Sequence, residues 1–515
     1  MFNFTSLRIN KNSKDNFVGI KKNIVEDCFE FYLPIGFDEF PEEDFDLVRK
    51  LFFDLYRTFR KFENDNIDNE KFQLNNSEYQ QDQDQTTTKN GGVTLTNNQQ
   101  ESCIIYSKIR MLENILEAYD PLIIQSLKDK IRASEKIKYS DIHKYLYKAI
   151  YLKNDVIFID TMDLASPTLE NQSTDIVTLY CYILDEIIEQ LDGDVSEQIK
   201  DHRQEIKFLS ETFQDNYLTN HQSIFDSETS LETISILKET LENIDKNTHY
   251  KDNNYWQLYE AIELFLYGEI NPEGEDGEYW GIKGFSFVWE DMCHTYFFKN
   301  CFDNIAYADT DICIKKYHND LRDINKMNRV GNHLISAKDK NNQIWIYQTA
   351  SPVKSFNKKY LLNWQDLLLI KYDLEPVIFV YSNPIYTKRN FKQELPRLLR
   401  PDLLLNYYDE KSKKNTIIIY DYKYVNLEFY VRNNNIPLAN TNDKYRIDLI
   451  KELTYEFALQ QSQDLTISKN CYLIPQFFHE YQNTIFQDLL QLKEGIIVQS
   501  VDFSLIQKSY LEENS

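Results

Sequence analysis

The chain holds 515 residues, enough for about three domains of common size, each able to bury a core. With 42% apolar and 27% charged residues, and 36 tyrosines and 32 phenylalanines, the composition is globular rather than disordered. A net charge of −25 makes long-range attraction to phosphates poor for the chain as a whole, and 12 glycines leave little material for a glycine-rich phosphate loop.

The acidity is uneven. Residues 1–300 carry 30 Lys and Arg against 56 Asp and Glu, whereas residues 301–460 carry 24 against 19. Neither Gly-x-x-x-x-Gly-Lys-Ser/Thr nor Gly-x-Ser-x-Gly occurs, which argues against a Walker-type nucleotide site and a nucleophile elbow. Cys28, Cys103, Cys181, Cys293, Cys301, Cys313 and Cys471 form no Cys-x-x-Cys pair, so no zinc site or disulfide framework follows. The N-terminus lacks an apolar signal core and no run of about eighteen apolar residues exists. A cytoplasmic location without membrane contact is expected.

From the N-terminus, residues 23–37 (NIVEDCFEFYLPIGF) read as a strand ending at Pro34. Phe45, Val48, Phe52, Leu55, Phe59 and Phe62 recur at helical spacing and predict a helix over 41–62. Residues 74–102, rich in Gln, Asn and Thr, read as a mobile polar loop. A broad apolar face on Ile104, Ile105, Ile109, Leu112, Ile115 and Leu116 predicts a helix over 102–133. Further helices are expected at 139–152, 174–192, 196–213, 230–245 and 255–267, with a short strand at 155–159. A soft boundary falls near 134 and a firmer one in the Gly-, Pro- and acid-rich stretch 268–284.

Beyond that stretch a helix at 285–299 precedes β-type runs at 343–350, 376–382, 402–408, 416–424, 471–478 and 495–503, with a helix at 443–462. Strands apolar on both faces and flanked by helices imply a central mixed sheet covered on two sides. The fold class expected is α/β, a mainly α N-terminal region followed by a sheet domain. The segments expected are 1–133, an N-terminal α+β region with the loop at 74–102; 134–270, mainly helical; and 280–515, the sheet domain.

The sharpest feature is RPDLLLNYYDEKSKKNTIIIYDYKY, residues 400–424. Two apolar runs joined by a polar seven-residue link predict an antiparallel hairpin. Residues two apart on a strand share a face, so Asp421 and Lys423 project together. A register setting Asp402 opposite Asp421 brings the two carboxylates within reach of one metal ion, about 5 Å apart. Hard carboxylate oxygens suit Mg²⁺, and an adjacent ammonium suits the charge that grows on a cleaving phosphate.

Pro401-Asp402 followed by Asp421-Tyr422-Lys423 resembles the PD-(D/E)xK nuclease motif. More narrowly, LPIGF at 33–37, KIKYSDIHKYLYKAI at 136–150, FSFVWEDM at 285–292 and the RPD…DYKY pair resemble, in order, the LlaJI restriction endonuclease family, related to McrC nuclease subunits. The resemblance implies a PD-(D/E)xK restriction-endonuclease-like domain at 280–515 and an N-terminal region that docks on a partner. It implies a metal-dependent DNA endonuclease of a prokaryotic restriction or phage-defence system. Its catalytic residues would be Glu290, Asp402, Asp421, Lys423, Lys451 and Tyr455, with Mg²⁺ (or Mn²⁺) held by Glu290, Asp402 and Asp421. Its partners would be double-stranded DNA and a separate McrB-like GTPase motor. On their helix, Lys451 and Tyr455 would face the sheet from one side.

Each residue also has a plain structural reading. Glu290 could be a helix acid bonded to backbone or lysine, Lys451 a solvated charge and Tyr455 a core edge. His294, one turn from Glu290, reads as a packed core histidine. The basic residues of 386–402 could track phosphates or form a solvated face. The rival functions are a non-catalytic adaptor or allosteric subunit of an NTPase complex, and a stand-alone nuclease acting on RNA or branched DNA.

Overall fold

The structure, a computed structural model, describes residues 7–11, 16–23, 26, 28–66, 93–96, 102–106, 109–128, 131–137, 139–151, 157–159, 165–171, 175–219, 221–248, 251–268, 278–301, 304–314, 328–331, 369–373, 394–399, 401–409, 414–461, 465–479 and 485–512. The chain is mixed α/β, and it gathers into two compact units that do not follow chain order. One is built on Phe45–Phe53 and Lys108–Pro272, the other on Ser6–Asp44, Asp54–Ser107 and Glu273–Ser515. One late strand, Glu278–Lys283, pairs among early ones. Among the described residues no helix is long and apolar enough to cross a membrane.

The unit containing residues 108–272 is largely helical. At its centre Asp175–Gln190 is buried almost throughout, as an all-round apolar helix must be. Around it pack Arg110–Glu117, Arg203–Tyr217, Ser230–Asn247 and Asn253–Tyr267. The helix expected over 102–133 is instead a strand, Ser102–Tyr106, then two helices, Arg110–Glu117 and Pro121–Lys128, then a strand, Ile131–Ile137. Ile104 and Ile105 are drawn into a sheet by pairing with Lys283 and Ile282, which overrides the helical spacing. Ile131–Ile137 pairs antiparallel with Ala165–Asn171. Between these strands lie a 3₁₀ helix at Tyr139–Lys148, where an α-helix was expected, and a small hairpin of Ile150–Tyr151 with Ile157–Phe158.

Glu186, on the central helix, accepts hydrogen bonds from the Ser223 hydroxyl and the Ile224 N–H. Burial, opposed by those donors, pushes its carboxyl up to about 7 from 4.5. The folded state therefore binds this proton more tightly than the unfolded one. Its stabilising effect is full below about pH 4.5 and is lost as pH rises through about 7. Glu186→Gln should accordingly raise the thermal midpoint at about pH 8 and leave it little changed at about pH 4. An unaltered difference between the two pH values in thermal melts would refute this.

Among the described residues the second unit contains two six-stranded sheets and two short two-stranded ones. In the first, the spatial order is Arg8–Asn10, Cys28–Tyr32, Phe17–Asn23, Glu278–Lys283, Ser102–Tyr106, Val93–Thr96. Val93–Thr96 falls inside the stretch read as a polar loop, and it pairs with Ser102–Tyr106. Gly19 opposes Gly281 across the central pair, with φ of +138° and +145°. A Cβ on Gly19 would lie 2.2 Å from the Trp280 carbonyl, so this close crossing requires glycine.

The second sheet comprises β1 (Ile305–Ala308), β2 (Leu403–Asp409), β3 (Lys414–Tyr422), β4 (Leu465–Gln476), β5 (Phe486–Gln491) and β6 (Ile497–Asp502), in spatial order β1-β2-β3-β4-β6-β5. The pairs β3/β4 and β4/β6 are parallel and the rest antiparallel, the mixed sheet the sequence implied. The helices concerned are α1 (Ser286–Asn300), α2 (Leu427–Asn434), α3 (Asp443–Gln460) and α4 (Phe503–Leu511). The crossover from β3 to β4 runs through α2 and α3, whose starts are capped by the side chains of Asn426 and Asn442. Ile417 and Ile419 of β3 join Tyr455, Ala458 and Leu459 of α3 in one core. Tyr420 and Tyr422, on the opposite face, meet Phe297 of α1 at 5.2 and 6.1 Å between ring centres. The β-type runs at 343–350 and 376–382 lie outside the described residues, as do most of the basic residues of 386–402.

Candidate active site

The register of the β2/β3 hairpin is the one the sequence suggested. Leu403 pairs with Tyr420, so the next step along the ladder sets Asp402 against Asp421. Period-two alternation puts Asp421, like Ile417 and Ile419, on the face covered by α3. Lys423 lies one residue past β3, but its N–H still donates to the Leu473 carbonyl of β4 at 2.9 Å. The strand geometry thus persists through Lys423, and its side chain stays on the Asp421 side.

The Lys423 Nζ lies 2.7 Å from Asp421 Oδ2 and 3.1 Å from Asp448 Oδ1. All three side chains are close to nine-tenths buried, so the ammonium is held rigidly rather than swinging in solvent. Burial alone would lower the Lys423 amine, but the charges of Asp421, Asp448 and Asp402 outweigh it and hold the amine well above its usual range. Lys423 is therefore a fixed cation. Just beyond it, the Tyr424 hydroxyl accepts from the Ile35 N–H at 3.0 Å, which ties the LPIGF segment to the end of β3.

Asp402 Oδ2 accepts from the Tyr422 N–H at 2.6 Å, which fixes its carboxylate beside that of Asp421. Two buried carboxylates within hydrogen-bonding reach cannot both stay ionised without a cation. Burial, the Asp421 charge and the Glu290 charge push the Asp402 carboxyl well above the usual range. For Asp421, burial works upward, but the Lys423 charge and a hydrogen bond from Asp402 hold it below its usual value.

Glu290 reaches the group from the opposite layer. From Phe287 to Phe298 every residue of α1 except Glu290 is buried. Its charge is felt at Asp402, so Asp402 sits electrostatically between Glu290 and Asp421. His294 Nε2 lies 4.0 Å from Glu290 Oε1, and the ring is fully buried and edge-on to Tyr422 at 4.8 Å. That is the packed histidine the sequence suggested.

Of the helix pair Lys451 and Tyr455, only Tyr455 faces the sheet. Lys451 is exposed, although its charge is still felt at Asp421. The inner face of α3 is set by Tyr445, Asp448, Leu449, Glu452, Tyr455 and Leu459, which turns Lys451 outward. Two acids were missed by reading the sequence for the motif. Asp448 and Glu452 sit four residues apart on that inner stripe, and two acids on an otherwise apolar helical face were the available signal. Asp448 anchors Lys423, while Glu452 is fully buried with Asp421 within hydrogen-bonding reach. Burial and the charge of Asp421 push the Glu452 carboxyl well above its usual range.

Among the described residues, the one three-residue group of Asp, Glu, Cys or His whose ligand atoms all fall within 4.8 Å of one another is Glu26, Cys28 and Glu30. Glu30 there is occupied by hydrogen bonds from Asn10, Asn23 and Tyr32, which accounts for the cluster structurally. Glu290, Asp402 and Asp421 are more open than that spacing. No protein-family model, curated protein or solved structure matches the chain.

Proposed function

We propose that this chain is a divalent-metal-dependent DNA endonuclease with a PD-(D/E)xK-type core, working with a separate GTP-hydrolysing motor. The observation that carries the reading is the grouping at the end of β3: Asp402 set against Asp421, with the Lys423 ammonium 2.7 Å from Asp421. Four acids, Asp402, Asp421, Asp448 and Glu452, lie about one buried ammonium, and the charge of Glu290 is felt at Asp402, an excess of acid that a divalent cation would offset. Their hard oxygen donors suit Mg²⁺, for which Mn²⁺ can substitute. Asp402 and Asp421 would hold the ion, with Glu290 joining from α1. When bound, the ion would neutralise charge growing on the scissile phosphate.

The remaining roles belong to the chain itself. Lys423, its orientation set by Asp448 and its charge secured by three carboxylates, would hold a phosphate oxygen and orient the attacking water. The Tyr422 N–H fixes the Asp402 carboxylate, and α3 closes the face opposite α1.

The partner reading rests on charge and on the helical unit. In that unit Ile131–Ile137 pairs with Ala165–Asn171 as an antiparallel ribbon. The segment between these strands exposes Leu146, Tyr147, Ile150, Tyr151, Ile157 and Phe158 by 43–78%. Six large apolar side chains left in water within thirteen residues mark an interaction surface. Reconstitution tests this. Tyr147→Ser with Ile157→Ser should leave the thermal midpoint of the isolated chain unchanged yet reduce GTP-stimulated plasmid cleavage at least tenfold with the motor present. Full stimulated cleavage by this variant would remove the docking role of the ribbon.

A further inference from the structure

Glu452 is fully buried on α3, and neither of its carboxylate oxygens meets a hydrogen-bond donor among the described residues. Asp421 is within its reach, and without a cation the two acids can only share a proton. Asp448 Oδ2 and the Tyr472 hydroxyl, nearby on α3 and β4, are likewise without a partner there. Ionising both acids of this buried pair is costly, and packing does not require an acid here, since an apolar side chain of equal length would fill the same space. A cation satisfies it directly, because acid oxygens are its natural ligands.

Geometry separates Glu452 from its neighbour on the helix. Asp448 is taken up by Lys423 at 3.1 Å, whereas Glu452, one turn on, points its free oxygens at Asp421. Asp402 and Glu452 each reach Asp421, but the three do not gather within 4.8 Å, so Asp421 stands between them. We infer that Glu452 supplies a carboxylate oxygen to a divalent cation that Asp421 also holds. The inference rests on the metal-dependent reading of the site, and it adds a ligand from α3 that the Asp-(x)-Asp-x-Lys pattern does not contain.

The experiment is calorimetric titration of Mn²⁺ into the full chain without substrate. It compares wild type with Glu452→Gln and Glu452→Met, both of which keep the length of the side chain. Both variants should bind Mn²⁺ at least about tenfold more weakly, with a metal-free thermal midpoint equal to or above that of wild type. Wild-type affinity in either folded variant overturns the role of Glu452. Loss of the fold in both variants without metal also overturns it, since the carboxyl would then serve the structure. A wild-type chain that binds no Mn²⁺ is a different failure, and it removes the metal-dependent reading itself.

Discussion

Asp421→Ala should reduce plasmid cleavage by about a thousandfold or more while the chain stays folded. Asp421 is the centre of the group: its carboxylate meets Asp402, Glu452 and the Lys423 ammonium. Removing it takes away the anion that stands between the other two acids. The fold should survive, because Lys423 keeps Asp448 at 3.1 Å and the repulsion felt by Asp402 and Glu452 falls. The thermal midpoint of the metal-free variant should therefore equal or exceed that of wild type. Cleavage within a few-fold of wild type by a well-folded Asp421→Ala would show that the chemistry lies elsewhere.

Lys423→Met should lose cleavage to a similar extent and lose stability as well, which Asp421→Ala should not. The substitution leaves Asp421 and Asp448 buried side by side without their cation, and breaking a buried ion pair from one side costs about 3 kcal/mol or more. The sign with pH follows from the same charges. Without the ammonium that now lowers it, the folded-state Asp421 carboxyl rises above its unfolded value. The folded variant then binds more protons than the unfolded one, so its deficit is smallest in acid and grows as pH rises through the carboxylate range. Urea melts at about pH 5 and about pH 8 should show this divergence from wild type. The double variant Asp421→Ala with Lys423→Met should recover part of the lost stability, since only one acid then lacks its cation. Equal stability of Lys423→Met and wild type at both pH values would mean that the ammonium does not hold these acids.

The β2/β3 hairpin was legible because two apolar runs around a polar link leave one pairing, and period-two alternation then fixes which side chains share a face. Asp421 and Lys423 followed from local sequence. The long helices at 175–190 and 230–247 were legible for a similar reason, each carrying its own apolar pattern. Where long-range pairing decides, the sequence misled. Ile104 and Ile105 fit a helix by spacing, but Glu278–Lys283, some 170 residues on, draws them into a strand. Residues 6–44 and 54–107 fall in one unit with residues 273–515. Glu452 was missed for a further reason. Lys451 and Tyr455 were chosen by motif spacing, whereas the rotation of α3 against the sheet decides which side chain enters, and Tyr445, Leu449 and Leu459 set that rotation.

Metal-dependent cleavage at Asp402, Asp421 and Lys423 is the central claim, and one assay reaches it directly. Supercoiled plasmid is incubated with the chain, its GTP-hydrolysing partner and GTP, in Mg²⁺ and in excess EDTA, with Asp421→Ala in parallel. Cutting by wild type in Mg²⁺, abolished by EDTA and by Asp421→Ala, is the expected result. Cutting that persists in EDTA, or that Asp421→Ala retains, would contradict the claim.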